Sequence, residues 1–73
     1  MTLDKAQRGA SIEIVTIEDA LVRVQAIRLG LCEGVRLKCI EKLPAGPVIL
    51  QRKMQQIAIG RQLARSIIIR EVM

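Results

Sequence analysis

Two glycines separated by three residues, Gly30 and Gly34, constrain the fold of this chain more than any other feature. The residues before Gly30 repeat apolar side chains at helical spacing, whereas those after Gly34 alternate between apolar and polar side chains. Glycine adopts a left-handed backbone conformation at little cost, so Gly30 predicts the end of a helix and Gly34 predicts the turn into a strand. Residues 26–34 are therefore predicted to form a corner around which the rest of the chain packs.

Patterns of apolar and β-branched residues predict five strands, over residues 10–17, 35–42, 48–53, 55–59 and 67–72, the last from three consecutive isoleucines. The second pattern is the clearest, with Leu37 and Cys39 expected inward and Arg36 and Lys38 outward. Residues 53–56 contain none of the usual tight-turn residues, so the third and fourth strands form either a hairpin or one long, bent strand.

The helix between the first two strands is predicted to begin at Thr16, whose hydroxyl group suits free amides and which is followed by acidic residues. Its apolar stripe is expected to face the sheet. The members of this stripe are Ile17, Leu21, Val24, Ile27 and Leu31. A shorter helical turn is predicted over residues 61–65, before the last strand.

Together these elements predict a mostly β fold, a small barrel of about five antiparallel strands with one α-helix inserted between strands 1 and 2 and a short helical turn before the last strand. No linker interrupts the pattern, so residues 1–73 are expected to form one domain. Because so short a chain buries a limited share of its surface, homo-oligomerisation or docking on a partner is also expected.

Composition excludes several functions. The chain has no Phe, Trp or Tyr, which base-stacking nucleic-acid grooves and proline-peptide grooves both use. Its net charge of +5 is dispersed along the sequence, so no nucleic-acid partner is predicted. The N-terminus is polar, and no run of roughly 18 apolar residues occurs. We therefore expect a cytoplasmic protein with no segment inserted in the membrane.

The chemistry of enzymes is also missing from the sequence. The chain has no His, no nucleophile elbow and no phosphate-binding loop. We therefore predict that the protein is not an enzyme and binds no cofactor. Cys32 and Glu33 are the weak candidates for a metal site, if a second molecule supplied further ligands; the alternative is a capped turn with an ordinary surface glutamate. Arg61 either contacts a partner or holds carbonyl groups at the end of a strand.

Several motifs together resemble the FeoA family of small cytosolic proteins of bacterial ferrous iron transport. They are Leu-Gly-Leu-x-x-Gly ending at Gly34, a basic strand, a Pro-Ala-Gly-Pro loop and Ala-Ile-Gly-Arg-x-Leu-Ala ending at Ala64, before an isoleucine-rich strand. The resemblance covers residues 9–72. It implies an SH3-like barrel and a non-enzymatic accessory role in Fe²⁺ uptake, through binding of the cytoplasmic part of the permease FeoB.

We expect the permease to contact the helix end and the stiff loop, where charge surrounds a few apolar residues. The predicted contact residues are Arg28, Leu31, Glu33, Pro44, Pro47 and Arg61. The alternative function is a metal-responsive regulatory module that binds a divalent metal or a regulator protein, because the same barrel resembles the C-terminal domain of iron-dependent repressors.

Overall fold

The computed structural model describes residues 1–72 and contains one antiparallel sheet of five strands, two α-helices and a 3-10 turn at Leu3–Lys5. The strands are β1 (Ser11–Thr16), β2 (Arg36–Lys42), β3 (Val48–Arg52), β4 (Gln55–Ile59) and β5 (Ile68–Val72). Helix α1 (Ala20–Arg28) lies between β1 and β2, and the short helix α2 (Arg61–Ala64) precedes β5. The predicted mostly β class and the order of the elements are confirmed.

The sheet has the order β4-β3-β2-β1-β5, so β4 and β5 are its edges. Within residues 1–72 the two edge strands do not pair with each other, so the predicted barrel is not closed. The N-terminal residues protect one edge instead, because the amide of Leu3 donates to the carbonyl of Ile67 at 2.8 Å and the amide of Ile69 donates to that of Met1 at 2.7 Å. Leu3, an apolar residue in this largely polar segment, is completely buried.

The core is built from aliphatic side chains and one cysteine, and within residues 1–72 no polar or charged residue is buried. The predicted facing of β2 is confirmed, since Leu37 and Cys39 point inward, and Ile12 and Ile14 of β1 point inward as well. The larger fully buried side chains are Leu3, Ile12, Ile14, Ile17, Leu31, Leu50, Ile59, Ile67 and Ile69. Branched side chains that fit a pleated surface thus replace the missing aromatic residues.

The helix begins later than predicted, so the Thr16 cap is wrong. Asp19 is the N-cap, and its carboxylate accepts hydrogen bonds from the amides of Leu21 at 2.9 Å and Val22 at 3.1 Å. Thr16 ends β1, and the next residue, Ile17, is buried in the core. The chain must therefore stay extended through Ile17 before the helix can start. The first side chains after it that can accept hydrogen bonds from helix amides are those of Glu18 and Asp19.

The orientation of the helix also differs from the prediction, because the apolar stripe expected to face the sheet points to solvent within α1. Within α1 only Ala26 is buried, whereas Leu21, Val24 and Ile27 are more than half exposed. The other two members of the predicted stripe are buried, but they flank the helix in the sequence. Because α1 carries apolar side chains on both of its sides, periodicity alone could not identify the inward face.

Strands β3 and β4 form a hairpin joined by Lys53 and Met54, which settles the alternative of one bent strand. Lys53 adopts a positive φ of 55°, a conformation that glycine and asparagine normally supply. The side-chain amide of Gln51 supports the turn by donating to the carbonyl of Lys53 at 3.1 Å. The turn therefore forms without the residues that would have revealed it in the sequence.

Replacing Lys53 with glycine is expected to stabilise the domain by about 0.5 to 1 kcal/mol, because relief of the left-handed strain exceeds the added flexibility of the unfolded chain. Chemical denaturation measures the change. The control is Ala58→Gly, at a regular position of β4, which should instead destabilise the domain. A loss of stability in Lys53→Gly would contradict the assigned turn.

An ion-pair cluster joins the three neighbouring strands β2, β1 and β5 on the outer face of the sheet. Glu13 lies opposite both Arg36 and Arg70, and its carboxylate oxygens are 2.9 Å and 3.1 Å from their guanidinium nitrogens. The hydrogen bond from Arg36, with the charge and hydrogen bond of Arg70, lowers the pKa of Glu13 below its ordinary value of 4.5. The ionised carboxylate therefore favours the folded state.

We expect Glu13→Gln to lower the melting temperature at neutral pH, and the difference from the parent protein to shrink in acid. A carboxyl group with a lowered pKa in the folded state stabilises fully above its unfolded pKa, near 4.5, and loses this contribution as pH falls through the folded value. Thermal unfolding of both proteins between neutral pH and pH 3 tests this. A difference independent of pH would show that the cluster contributes by packing alone.

Candidate binding surfaces

The corner between α1 and β2 has the backbone geometry that its glycines predicted. Gly30 and Gly34 have φ values of +79° and +86°, in the left-handed region. The amide of Leu31 donates to the carbonyl of Ala26 at 2.8 Å, which turns the chain back under the helix end. The amide of Gly34 donates to the carbonyl of Ile14 at 2.8 Å and fixes the corner to β1.

This turn places Leu31 in the core rather than on the predicted contact surface. Its side chain is completely inaccessible to solvent. The prediction that Leu31 contacts a partner is therefore wrong for this conformation, because the hydrogen bond of its own amide to the helix directs the side chain inward. Arg28 and Glu33, on either side of it in the sequence, are both exposed.

An open cavity of about 250 Å³ lies beside the corner. Its lining consists of Ile17, Arg23, Ile27, Cys32 and Glu33. The Arg23 guanidinium donates to the Ile17 carbonyl at 3.0 Å, and the hydroxyl group of Thr16 donates to the Glu33 carboxylate at 3.3 Å. The cavity therefore has apolar walls and a rim that carries one cation, one thiol and one carboxylate.

The structure brings both weak metal candidates, Cys32 and Glu33, to the lining of this cavity. In the part of the chain that the structure describes, no group of three or more His, Cys, Asp and Glu side chains is placed to hold a metal ion. A metal at this position would thus need ligands from a second molecule, as the sequence indicated. Metal binding by this pair stays a prediction.

The two cysteine thiols differ in accessibility. Cys32 is exposed at the cavity, whereas Cys39 is completely buried in β2, and burial raises the pKa of the Cys39 thiol. We expect a thiol reagent to label Cys32 in the folded protein and Cys39 only after unfolding. Mass spectrometry after brief treatment with a disulfide reagent measures this. Equal labelling of both thiols under native conditions would contradict the buried position of Cys39.

The remaining predicted contact residues lie at the loop between β2 and β3. Pro44 is exposed, Pro47 is partly buried, and Arg61 reaches the loop from α2. The Arg61 guanidinium donates to the carbonyls of Gly46 at 2.7 Å, Leu43 at 2.8 Å and Asp4 at 3.2 Å. Of the two roles open to Arg61, the geometry favours the one in which it holds carbonyl groups.

The predicted contact residues therefore do not form one surface. The corner precedes β2 and the loop follows it, and the seven residues of this strand span roughly 20 Å. Arg28 and Glu33 belong to the corner, whereas Pro44, Pro47 and Arg61 belong to the loop.

A basic groove that the sequence did not predict crosses the outer face of the sheet. Arg36, Lys38, Arg52 and Lys53 line this open groove of about 430 Å³, together with Ser11, Leu37, Gln51 and Val72. These cations are spread over the sequence, and pairing of β2 with β3 brings them together. The alternation of β2 was the available signal, because it places Arg36 and Lys38 on one face, but the second pair depends on the hairpin.

Comparison with known proteins identifies close structural relatives. A profile of the FeoA domain family matches residues 1–71. The fold is similar to the crystal structure of the iron uptake regulatory protein FeoA, with a TM-score of 0.89 and 26% identity over 99% of this chain and 97% of that chain. No curated protein sequence matches significantly.

Two solution structures share the fold at lower sequence identity. An FeoA-like protein from Clostridium acetobutylicum has a TM-score of 0.87 and 15% identity, over 100% of this chain and 87% of that chain. The FeoA protein from Chlorobium tepidum has a TM-score of 0.82 and 24% identity, over 100% of this chain and 71% of that chain.

In residues 1–72, neither helix has the length and apolar character needed to cross a membrane.

Proposed function

Because this chain belongs to the FeoA family, which is associated with ferrous iron uptake, we propose that it is a non-enzymatic accessory protein of that uptake and acts in the cytoplasm by binding the FeoB permease. The observation that carries the proposal is the family match over residues 1–71. The similarity to a protein described as an iron uptake regulator supports the same assignment.

The corner is the contact surface that we favour for the permease. Arg28 and Glu33 provide opposite charges on an exposed surface, and the cavity beside them offers apolar walls to an inserted side chain. A charged rim around an apolar centre is typical of protein interfaces. The loop is less available, since Arg61 uses its guanidinium group on the carbonyls of the loop itself.

Titration of the chain with the purified cytoplasmic domain of the permease tests this function. We expect saturable heat in the micromolar range in calorimetry and a clear loss of affinity in Glu33→Arg, which reverses one charge of the rim. The matched control is Glu71→Arg, an exposed glutamate on β5 that should bind like the parent protein. Pro44→Ala tests the loop and is expected to leave binding unchanged.

The absence of binding at tens of micromolar would overturn the proposed function. Binding that Glu33→Arg leaves intact and Pro44→Ala weakens would retain the partner but move its contact to the loop. Because the substituted side chains are exposed, we expect each variant to keep its fold. Circular dichroism of each variant checks this.

A further inference from the structure

The outward face of α1 is an apolar surface that packing within the chain does not explain. Leu21, Val24 and Ile27 are 78%, 51% and 57% exposed, and Ala20 lies beside them. We call these four residues the α1 ridge. A helix of a monomer normally turns polar side chains to solvent, so three large apolar side chains on a helix of nine residues indicate a surface that another protein covers.

Opposite charges flank the α1 ridge at its two ends. Glu18 precedes the helix, Arg28 ends it, and both side chains are exposed. Among residues 1–72 the ion pairs are those of Arg8 with Glu41 and of Glu13 with Arg36 and Arg70, so neither Glu18 nor Arg28 is neutralised by a neighbour in the chain. Along the helix axis the surface therefore presents an acidic side chain, then the apolar α1 ridge, and then a basic side chain.

We propose that the α1 ridge binds the α1 ridge of a second copy of this chain, with the two helices antiparallel and Val24 at the two-fold axis. Ala20 and Ile27 are seven residues apart and therefore lie on the same side of the helix. A two-fold axis brings this side of one helix against the same side of the other helix. Ile27 of each copy then packs against Ala20 of the other. A large side chain thus meets a small one on both sides of the axis.

The charges fit the same arrangement. On the other side of the ridge, Arg28 of each copy lies beside Leu21 and Glu18 of the other. The Arg28 hydrocarbon chain covers the leucine, and its guanidinium group reaches the glutamate. The two-fold axis forms this ion pair twice. A parallel pair would instead place like charges together at both ends, so the order of charges selects the antiparallel arrangement.

The size of the surface limits the strength of this association. A helix of nine residues is about 13 Å long, so the pair buries roughly 300 to 400 Å² on each copy, about half of the ~800 Å² per partner of a standard interface. We therefore expect a weak, reversible dimer that forms at high micromolar concentration. Neither copy needs a groove to receive the other, because each α1 ridge provides a large side chain and the small side chain against which its counterpart packs.

Sedimentation equilibrium of the full chain, from low micromolar to millimolar concentration, tests the proposal. The parent protein is expected to shift from monomer to dimer, and Val24→Asp, which places two carboxylates at the axis, is expected to remain monomeric. Arg28→Glu and Glu18→Arg should each weaken association about tenfold, because each removes two symmetric ion pairs. The double variant Glu18→Arg/Arg28→Glu restores both pairs with reversed direction and should recover most of the affinity.

Arg65→Glu is the matched control, since it makes the same change of charge on an exposed arginine next to α2 and should leave association unchanged. Thermal unfolding of every variant separates loss of the dimer from loss of the fold. A chain that stays monomeric at millimolar concentration would overturn the proposal, as would a double variant that associates no better than the two single ones. Loss of permease binding in Val24→Asp without any dimer in the parent protein would assign the ridge to the permease and also overturn it.

Discussion

Replacing Leu31 with alanine is expected to lower the free energy of unfolding by about 3 kcal/mol, within the range of 2 to 5 kcal/mol for leucine truncation in a core. The side chain is completely buried, and the turn after Gly30 holds its backbone against the helix end. Surrounding strands limit collapse of the resulting cavity. Because small domains have little stability to lose, this substitution removes much of the total.

Leu29→Ala is the matched control for this prediction. Leu29 is the same residue type on the other side of Gly30 and is 40% exposed, so its truncation should have a clearly smaller effect. Urea denaturation of both variants measures the difference. Equal effects would contradict the inward direction of Leu31. The burial also means that Leu31→Asp would unfold the domain, so that variant is unsuitable for mapping a docking surface.

Replacing Arg61 with lysine is expected to lower the free energy of unfolding by about 2 kcal/mol, because hydrogen bonds to a charged group contribute about 1.5 to 3 kcal/mol each and partial exposure reduces their sum. One guanidinium group reaches carbonyls from the loop after β2 and from the N-terminal turn. A lysine ammonium group keeps the charge but lacks the planar fork of donors, so it cannot satisfy all three acceptors.

The corresponding control is Arg65→Lys, an exposed arginine at the end of α2, for which we expect almost no change. Limited proteolysis provides a second measurement. Release of the loop in Arg61→Lys should speed cleavage after Lys42 or at Leu43, whereas Arg65→Lys should resist cleavage like the parent protein. Unchanged stability and unchanged cleavage in Arg61→Lys would show that the three hydrogen bonds contribute little.

Strands β1 and β2 were predictable because each has one buried face and one more exposed face. In β2, Leu37 and Cys39 alternate with Arg36 and Lys38, and such a pattern fits only one orientation relative to the core. The helix was predictable in existence but not in orientation, since apolar side chains on both of its sides leave two choices. In the structure the helix turns the small Ala26 into the core, with Val22 packed against the core beside it.

The candidate surfaces were predictable only in part. The two glycines indicated the corner, and Arg28 and Glu33 are exposed there as expected. Leu31 could not be placed, because a hydrogen bond between its amide and Ala26 directs it inward. The basic groove depends on the pairing of β2 with β3 and on a hairpin turn at Lys53 that breaks the usual residue preferences. Such long-range arrangements leave no local signal.

The pairing of the first residues with the last strand has a consequence for synthesis on the ribosome. Residues 1–3 and one edge of β1 both pair with residues 67–72. Until residues 67–72 have left the ribosome, β1 can pair with β2, but the other edge of β1 and the segment that carries Leu3 have no hydrogen-bond partner. The domain therefore cannot complete its core progressively from the N-terminus. We expect the core to be completed only when β5 pairs with β1 on one side and with residues 1–3 on the other.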